Sequence, residues 1–198
     1  MKFYTRDRVL DRVSSIGHKV FSEDSKNNNL NIIGIRSRTA KLDEFGCQLM
    51  VAWKYNGRWT DYSFPITTYP GKRYLVEKLL NPKGCAILAP GQYLDTYAIG
   101  LHRGKYEALC QKLGPVNVYR DRDRDEQFDL DPDTIMSGNF GIAIHKSSDS
   151  QTTLRVGAHS AGCQVFANGE DFDDFMTFCR RSRAVFGNSF TYTLIDAF

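Results

Sequence analysis

The sequence predicts a mainly β protein with a few helices, an α+β fold, on three observations. NIIGIRS, CQLMVAWKY and RWTDYSFPITT are dense in β-branched and aromatic residues, the composition of strands. Asn56-Gly57 separates the second from the third, where a two-residue hairpin turn belongs. Clear helical spacing is confined to residues 5–16 and 170–183.

In chain order, Thr5 stands where it can cap the first helix, and Val9, Leu10, Val13 and Ile16 fall on one side of it. SEDSKNNN (22–29) is polar and turn-forming and reads as a linker. Residues 1–29 are therefore expected to be a helical extension with its linker, and 30–198 the functional domain. After the three strands, Pro70-Gly71 and Pro90-Gly91 mark turns. GKYEAL (104–109) reads as a short helix, and PVNVY (115–119) and FGIAIH (140–145) as strands. In 170–183, Phe172, Phe175, Met176 and Cys179 repeat at i, i+3, i+4 and i+7. Acids at the start (Glu170, Asp171, Asp173, Asp174) and bases at the end (Arg180, Arg181, Arg183) match the helix dipole. SFTYTLI is the closing strand.

With 198 residues, 41% hydrophobic and 13% aromatic, the chain can build a packed core, which excludes global disorder. A net charge of +3 suits an anionic partner without selecting one. No apolar run of about 18 residues exists, so no membrane span is expected. The N-terminus is charged where a signal peptide is apolar, so synthesis in a cytoplasm without a Sec-type signal is expected. Five cysteines at wide spacing, without a CxxC, indicate neither a disulfide framework nor a zinc site. The run from Asp129 to Asp133 lacks the glycine and distal glutamate of a calcium loop, so no metal and no cofactor are expected.

GIAIHKSS and HSAGCQVF carry the chemistry. A cysteine nucleophile needs a base, an exposed position and backbone N–H groups aimed at the developing oxyanion. Small residues in Ser160-Ala161-Gly162-Cys163 let a carbonyl approach the backbone, and Gly162 tolerates a tight turn. No histidine follows Cys163, which disfavours peptidases whose cysteine precedes the histidine. The base must come from His18, His102, His145 or His159. His145 ends a predicted strand, a rigid place for an imidazole.

His145, fourteen intervening residues and then Ser160-Ala161-Gly162-Cys163 resemble the signature of L,D-transpeptidase (YkuD-type) domains, a histidine, a spacer of roughly 14 to 17 residues and Ser/Thr-His-Gly-Cys. GCAILAPGQY (84–93) echoes a strand of that family. GIRS, TTYPG, GQY, GLHRGKYEAL, VYRDRDRD and SAGCQVF in this order also resemble phage-type relatives of it. The resemblance implies an L,D-transpeptidase-like β-sandwich or barrel over 30–198, with Cys163 as nucleophile and His145 as general base. The Lys146 carbonyl would orient the imidazole, and N–H groups around Ala161, Gly162 and Cys163 would form the oxyanion hole. It further implies bacterial peptidoglycan as partner rather than nucleic acid, a monomer, and action in the periplasm or cell wall after release, as in a phage endolysin. Ala161 replaces the family's second histidine, and Gln164-Val165 its usual arginine or asparagine, which favours hydrolysis of the stem peptide over transpeptidation.

Tyr119, Arg120 and Asp121 open an alternating-charge run and form a candidate cradle for a substrate carrying both an amine and a carboxylate, with Ser160 and Gln164 beside the cysteine. His145 is expected within about 4 Å of the Cys163 sulfur. His102, at a sortase-like distance along the chain, and His159 are expected farther away. Two further readings stay open: a transpeptidase at the same site, and a non-catalytic wall-binding or virion protein.

Overall fold

The computed structural model describes residues 3–23, 28–149 and 151–198, so part of the predicted linker, residues 24–27, lies outside the described residues. The elements run α1 (Arg6–Ser15), β1 (Asn31–Arg36), β2 (Cys47–Tyr55), β3 (Arg58–Thr67), a π-helical turn (Arg73–Glu77), β4 (Cys85–Leu88), β5 (Gly91–His102), β6 (Tyr106–Gln111) and β7 (Val116–Asp121). A 3-10 turn (Pro132–Thr134), β8 (Met136–Gly138), β9 (Ala143–Lys146), β10 (Gln164–Phe166), α2 (Gly169–Phe186) and β11 (Phe190–Asp196) follow.

Eight strands close into a barrel in the order β1-β11-β5-β6-β9-β10-β3-β2, and β4-β7-β8 form a separate three-stranded sheet. The class is thus mainly β with helices, as the composition predicts. Alternation along the strands sorts the apolar residues. Ile32, Leu49, Val51, Tyr192 and Leu194 belong to the main core, which the barrel shares with α2. Ile33, Ile35, Met50, Ala52 and Ile195 take the opposite faces and meet Val9, Leu10 and Val13 of α1. Each of those three α1 side chains contributes about 1.5–3 kcal/mol by leaving water. The predicted extension is therefore packed on the barrel.

The hairpin between β2 and β3 turns at Asn56 and Gly57, both at positive φ (49° and 75°), as a type I′ turn requires. In α2, Asn168 caps the N-terminus through its side chain, accepting from the Glu170 and Asp171 N–H groups. Phe172 and Phe175 pack on Phe166 of β10 at centroid distances of 5.5 and 5.2 Å. Arg36, wholly buried at the end of β1, donates to the Leu88 carbonyl (2.6 Å) and the Thr68 carbonyl (3.2 Å). It ties the small sheet to the barrel.

Two expectations are corrected. GKYEAL is not a helix. Arg103 and Gly104 both take positive φ (50° and 71°) and make a hairpin turn that feeds β6, and β6 pairs with β5 from His102 to Tyr97. FGIAIH is a strand only from Ala143, because Gln111 captures the N–H groups of residues 140–142 that a ladder would use.

Candidate active site

β9 and β10 run parallel, with Gln164 opposite Ile144 and Val165 opposite His145. Ile144 lies in the core and Gln164 is fully buried against Tyr192, so both point into the barrel. One residue either way turns the side chain to the other face. His145 and Cys163 therefore share the outer face of two adjacent strand segments, with Cys163 next to Ala143. The Ala143 N–H donates to the Cys163 sulfur at 3.4 Å, and the thiol approaches the Gly141 carbonyl at 3.8 Å. Among the described residues no hydrogen bond joins that sulfur to His145.

The turn before Cys163 is built for glycine. Gly162 has φ +121°, and a Cβ there would stand 2.4 Å from the Ala86 carbonyl oxygen. Ser160 is buried and holds the turn, donating to the Cys163 carbonyl (2.8 Å) and accepting the Gly162 N–H (3.2 Å). That bond engages the Gly162 N–H with Ser160, whereas Ala161 borders the cleft.

Cys163 is half-buried and lines a cleft of about 590 Å³ between the outer face of β5, β6 and β9 and the small sheet. Leu101, Cys110, Phe140 and Ile142 supply apolar lining, and Arg103, Lys112 and Arg120 supply positive charge. Among the described lining residues there is no carboxylate.

His145 is buried. Its Nδ1 lies 2.8 Å from the Lys146 carbonyl oxygen, and the Tyr106 hydroxyl, 3.4 Å from Nδ1, donates to that same carbonyl at 3.3 Å. An acceptor facing Nδ1 places the ring proton there and leaves Nε2 with a lone pair. Nε2 has no hydrogen-bond partner among the described residues. Burial first, then the neighbouring His102, pushes the imidazole down to about 3, so it is neutral near pH 7. Burial raises the Cys163 thiol, opposed by the Ala143 N–H and by Arg103. The resting pair is thus neutral thiol and neutral imidazole, an arrangement for general-base activation rather than a standing thiolate.

The other residues singled out in the sequence divide. Arg120 borders the cleft: its Nη1 donates to the Gly84 carbonyl (3.1 Å) and its guanidinium lies 4.7 Å over the Phe140 ring. Its neighbours on β7 take the opposite face. Asp121 is fully buried and accepts the Asp129 N–H, and Tyr119 packs against the core. Neither lines the cleft, so the mixed-charge cradle is corrected to a cationic wall. Gln164 and Ser160 serve the turn and the barrel interior and do not border the cleft. His102 is not remote: its ring stacks on His145 with centroids 4.2 Å apart. His159 is exposed and outside the cleft lining.

Sequence reading missed Gln111. Its Oε1 accepts the N–H groups of Phe140, Gly141 and Ile142 (3.0, 3.0 and 3.2 Å), and its Nε2 donates to the Gly138 carbonyl at 2.9 Å. One side chain thus shapes the loop beside Cys163. Tyr106 was missed with the helix assigned to its segment, and Arg103, directly before that segment, was missed with it; Arg-Gly between two alternating stretches was the available signal. No family model, curated protein or solved structure matches the chain.

Proposed function

We propose that the protein is a cysteine peptidase that cleaves the stem peptide of bacterial peptidoglycan through a Cys163 acyl-enzyme. The observation that carries this reading is the pairing of faces: His145 on β9 and Cys163, directly before β10, share the same outer face, with His145 held by its Nδ1 and its Nε2 without a hydrogen-bond partner among the described residues.

In this mechanism the thiol proton passes to His145 Nε2 as the sulfur bonds to the substrate carbonyl carbon. The contact between sulfur and Nε2 closes as substrate enters, a tightening usual at unliganded sites. The tetrahedral intermediate expels the amine, which takes the proton back from Nε2. Water then loses a proton to Nε2 and attacks the thioester, releasing a carboxylate and restoring the thiol. The resemblance assigns the oxyanion hole to N–H groups around Ala161, Gly162 and Cys163; of these Ala161 borders the cleft, whereas the Gly162 N–H is engaged by Ser160. Arg103, Lys112 and Arg120 suit a stem peptide, which is rich in carboxylates. The resemblance to L,D-transpeptidases supplies the substrate class and the bond beside an L-to-D junction, and the wall as the place of action.

Digestion of purified muropeptides, read by mass, tests this reading. Shortened stems are expected from the wild type and none from Cys163→Ala. Equal cleavage by the two proteins overturns it. Cross-linked products with an added amine acceptor would instead assign transpeptidation.

That no hydrogen bond joins Cys163 to His145 among the described residues favours a second reading, a non-catalytic wall-binding or virion protein with the same fold. Retention of the protein on intact sacculi with no change in muropeptide masses would select it.

A further inference from the structure

The alternating-charge run leaves the end of β7 and forms a loop outside the cleft. Within it the carboxylates of Asp121, Asp123 and Asp129 each bring an oxygen to within 4.8 Å of the others. Asp121 is the buried member, with no exposed surface. Its Oδ2 accepts the Asp129 N–H at 2.9 Å, but its Oδ1 has no hydrogen-bond partner among the described residues. A buried carboxylate oxygen without a donor is costly, and three carboxylates drawn together repel.

The surrounding cations do not answer this charge. Arg120, Arg122 and Arg124 interleave with the acids, yet among the described residues none forms an ion pair with Asp121, Asp123 or Asp129. Arg120 turns to Gly84 and Phe140, and Arg124 donates to the carbonyls of Val76 (2.8 Å) and Glu77 (2.7 Å).

Asp121 ends β7, and Asp123 and Asp129 follow in the loop that leaves it. No histidine or cysteine is among them, so the donor set is hard oxygen, suited to calcium and poorly suited to zinc.

We propose that Asp121, Asp123 and Asp129 bind a calcium ion. Water and loop carbonyls complete its coordination. The ion braces the cleft wall, because the same loop is tied by Arg124 to the π-helical turn whose Tyr74 lines the cleft, and Asp121 directly follows Arg120 on β7. The site is independent of the chemistry assigned to Cys163.

Thermal melts of the full chain, stripped with EDTA and titrated with CaCl2, test it, with MgCl2 in parallel. The wild-type Tm is expected to rise saturably by several degrees with calcium and to return on adding EGTA, as linkage requires for an ion bound only by the native state. Asp123→Asn, at an exposed residue, keeps the metal-free Tm and loses the rise. Asp121→Asn loses the rise too, and its metal-free Tm is equal to or above that of the stripped wild type, because the uncompensated buried charge is gone. A wild type that does not respond, or an Asp123→Asn protein that responds as the wild type does, overturns the site. An equal shift with magnesium at equal concentration overturns the choice of calcium.

Discussion

His102 lies flat on His145, their rings 4.2 Å apart and 18° from parallel, with His102 facing the cleft and His145 beneath it. Two imidazoles stacked in this way cannot both carry charge cheaply. The outer ring covers the inner one and holds it neutral, which is the state a general base needs before it takes a proton.

Replacing the outer ring should therefore retune the inner one. Burial is the first cause of the depressed His145 titration and His102 the second. His102→Leu keeps the cover and removes the like charge; His102→Ala removes both. The His145 pKa, followed by NMR of the ring protons, is expected to rise from wild type to His102→Leu and further in His102→Ala. Unchanged titration in both variants would show that the stack does not tune the base.

The same depression makes stability depend on pH. In the unfolded chain His145 titrates near its ordinary value of about 6.5, and in the folded protein at about 3. Between these values the unfolded state binds the extra proton, so the contribution is complete above pH 6.5 and is lost as pH falls toward 3. The slope within that window approaches about 1.4 kcal/mol per pH unit. Denaturant melts of wild type and His145→Gln between pH 7 and 4 should converge as pH falls. The comparison isolates His145 from Asp121, whose raised carboxyl acts in the opposite sense.

The strands and both long helices were legible because alternation and 3.6-residue spacing are local. β1, β2, β3 and β11 fall where NIIGIRS, CQLMVAWKY, RWTDYSFPITT and SFTYTLI place them. Barrel closure was left open between sandwich and barrel, since β1 pairs with β11 from the far end of the chain and nothing local encodes that partner. In the site, the spacing of His145 and Cys163 was legible, and their common face follows from strand register. The stacking of His102 was not, because it depends on the β5–β6 hairpin whose second arm read as a helix. Asp121 and Arg120 looked equivalent in a charge run, but once the run begins as strand β7, alternation sends one inward and the other to the cleft.

A neutral resting pair has a signature in thiol chemistry. Burial raises the Cys163 thiol, and His145 is not charged near pH 7. Alkylation of Cys163 by iodoacetamide, followed by peptide mass mapping from pH 6 to 10, should accelerate steadily through pH 9. The buried Cys47, Cys85 and Cys179 should lag behind it. A fast plateau reaching down to pH 6 would mean a standing thiolate–imidazolium pair and would contradict the neutral arrangement.

Gln111 offers the test of how the loop beside the nucleophile is held. Its Oε1 is the shared acceptor for the N–H groups of Phe140, Gly141 and Ile142, and its Nε2 returns to the Gly138 carbonyl. Leucine fills a similar volume and makes none of these bonds. Of the three donors, the Ile142 N–H is in a buried residue, so it cannot turn to water without moving the loop. Leaving such groups unpaired costs about 1–3 kcal/mol each, so Gln111→Leu should lower stability by about 2–4 kcal/mol in urea melts. Gln111→Glu keeps a carboxylate oxygen for the three N–H groups but loses the donor to Gly138, and it should recover part of that loss. The loop also supplies the Gly141 carbonyl that faces the Cys163 sulfur. Alkylation of Cys163 should therefore change in rate in Gln111→Leu at temperatures where the protein is still folded, and be partly restored in Gln111→Glu. Stability loss with unaltered Cys163 reactivity would confine Gln111 to the fold and leave the nucleophile positioned by Ser160 and Gly162 alone.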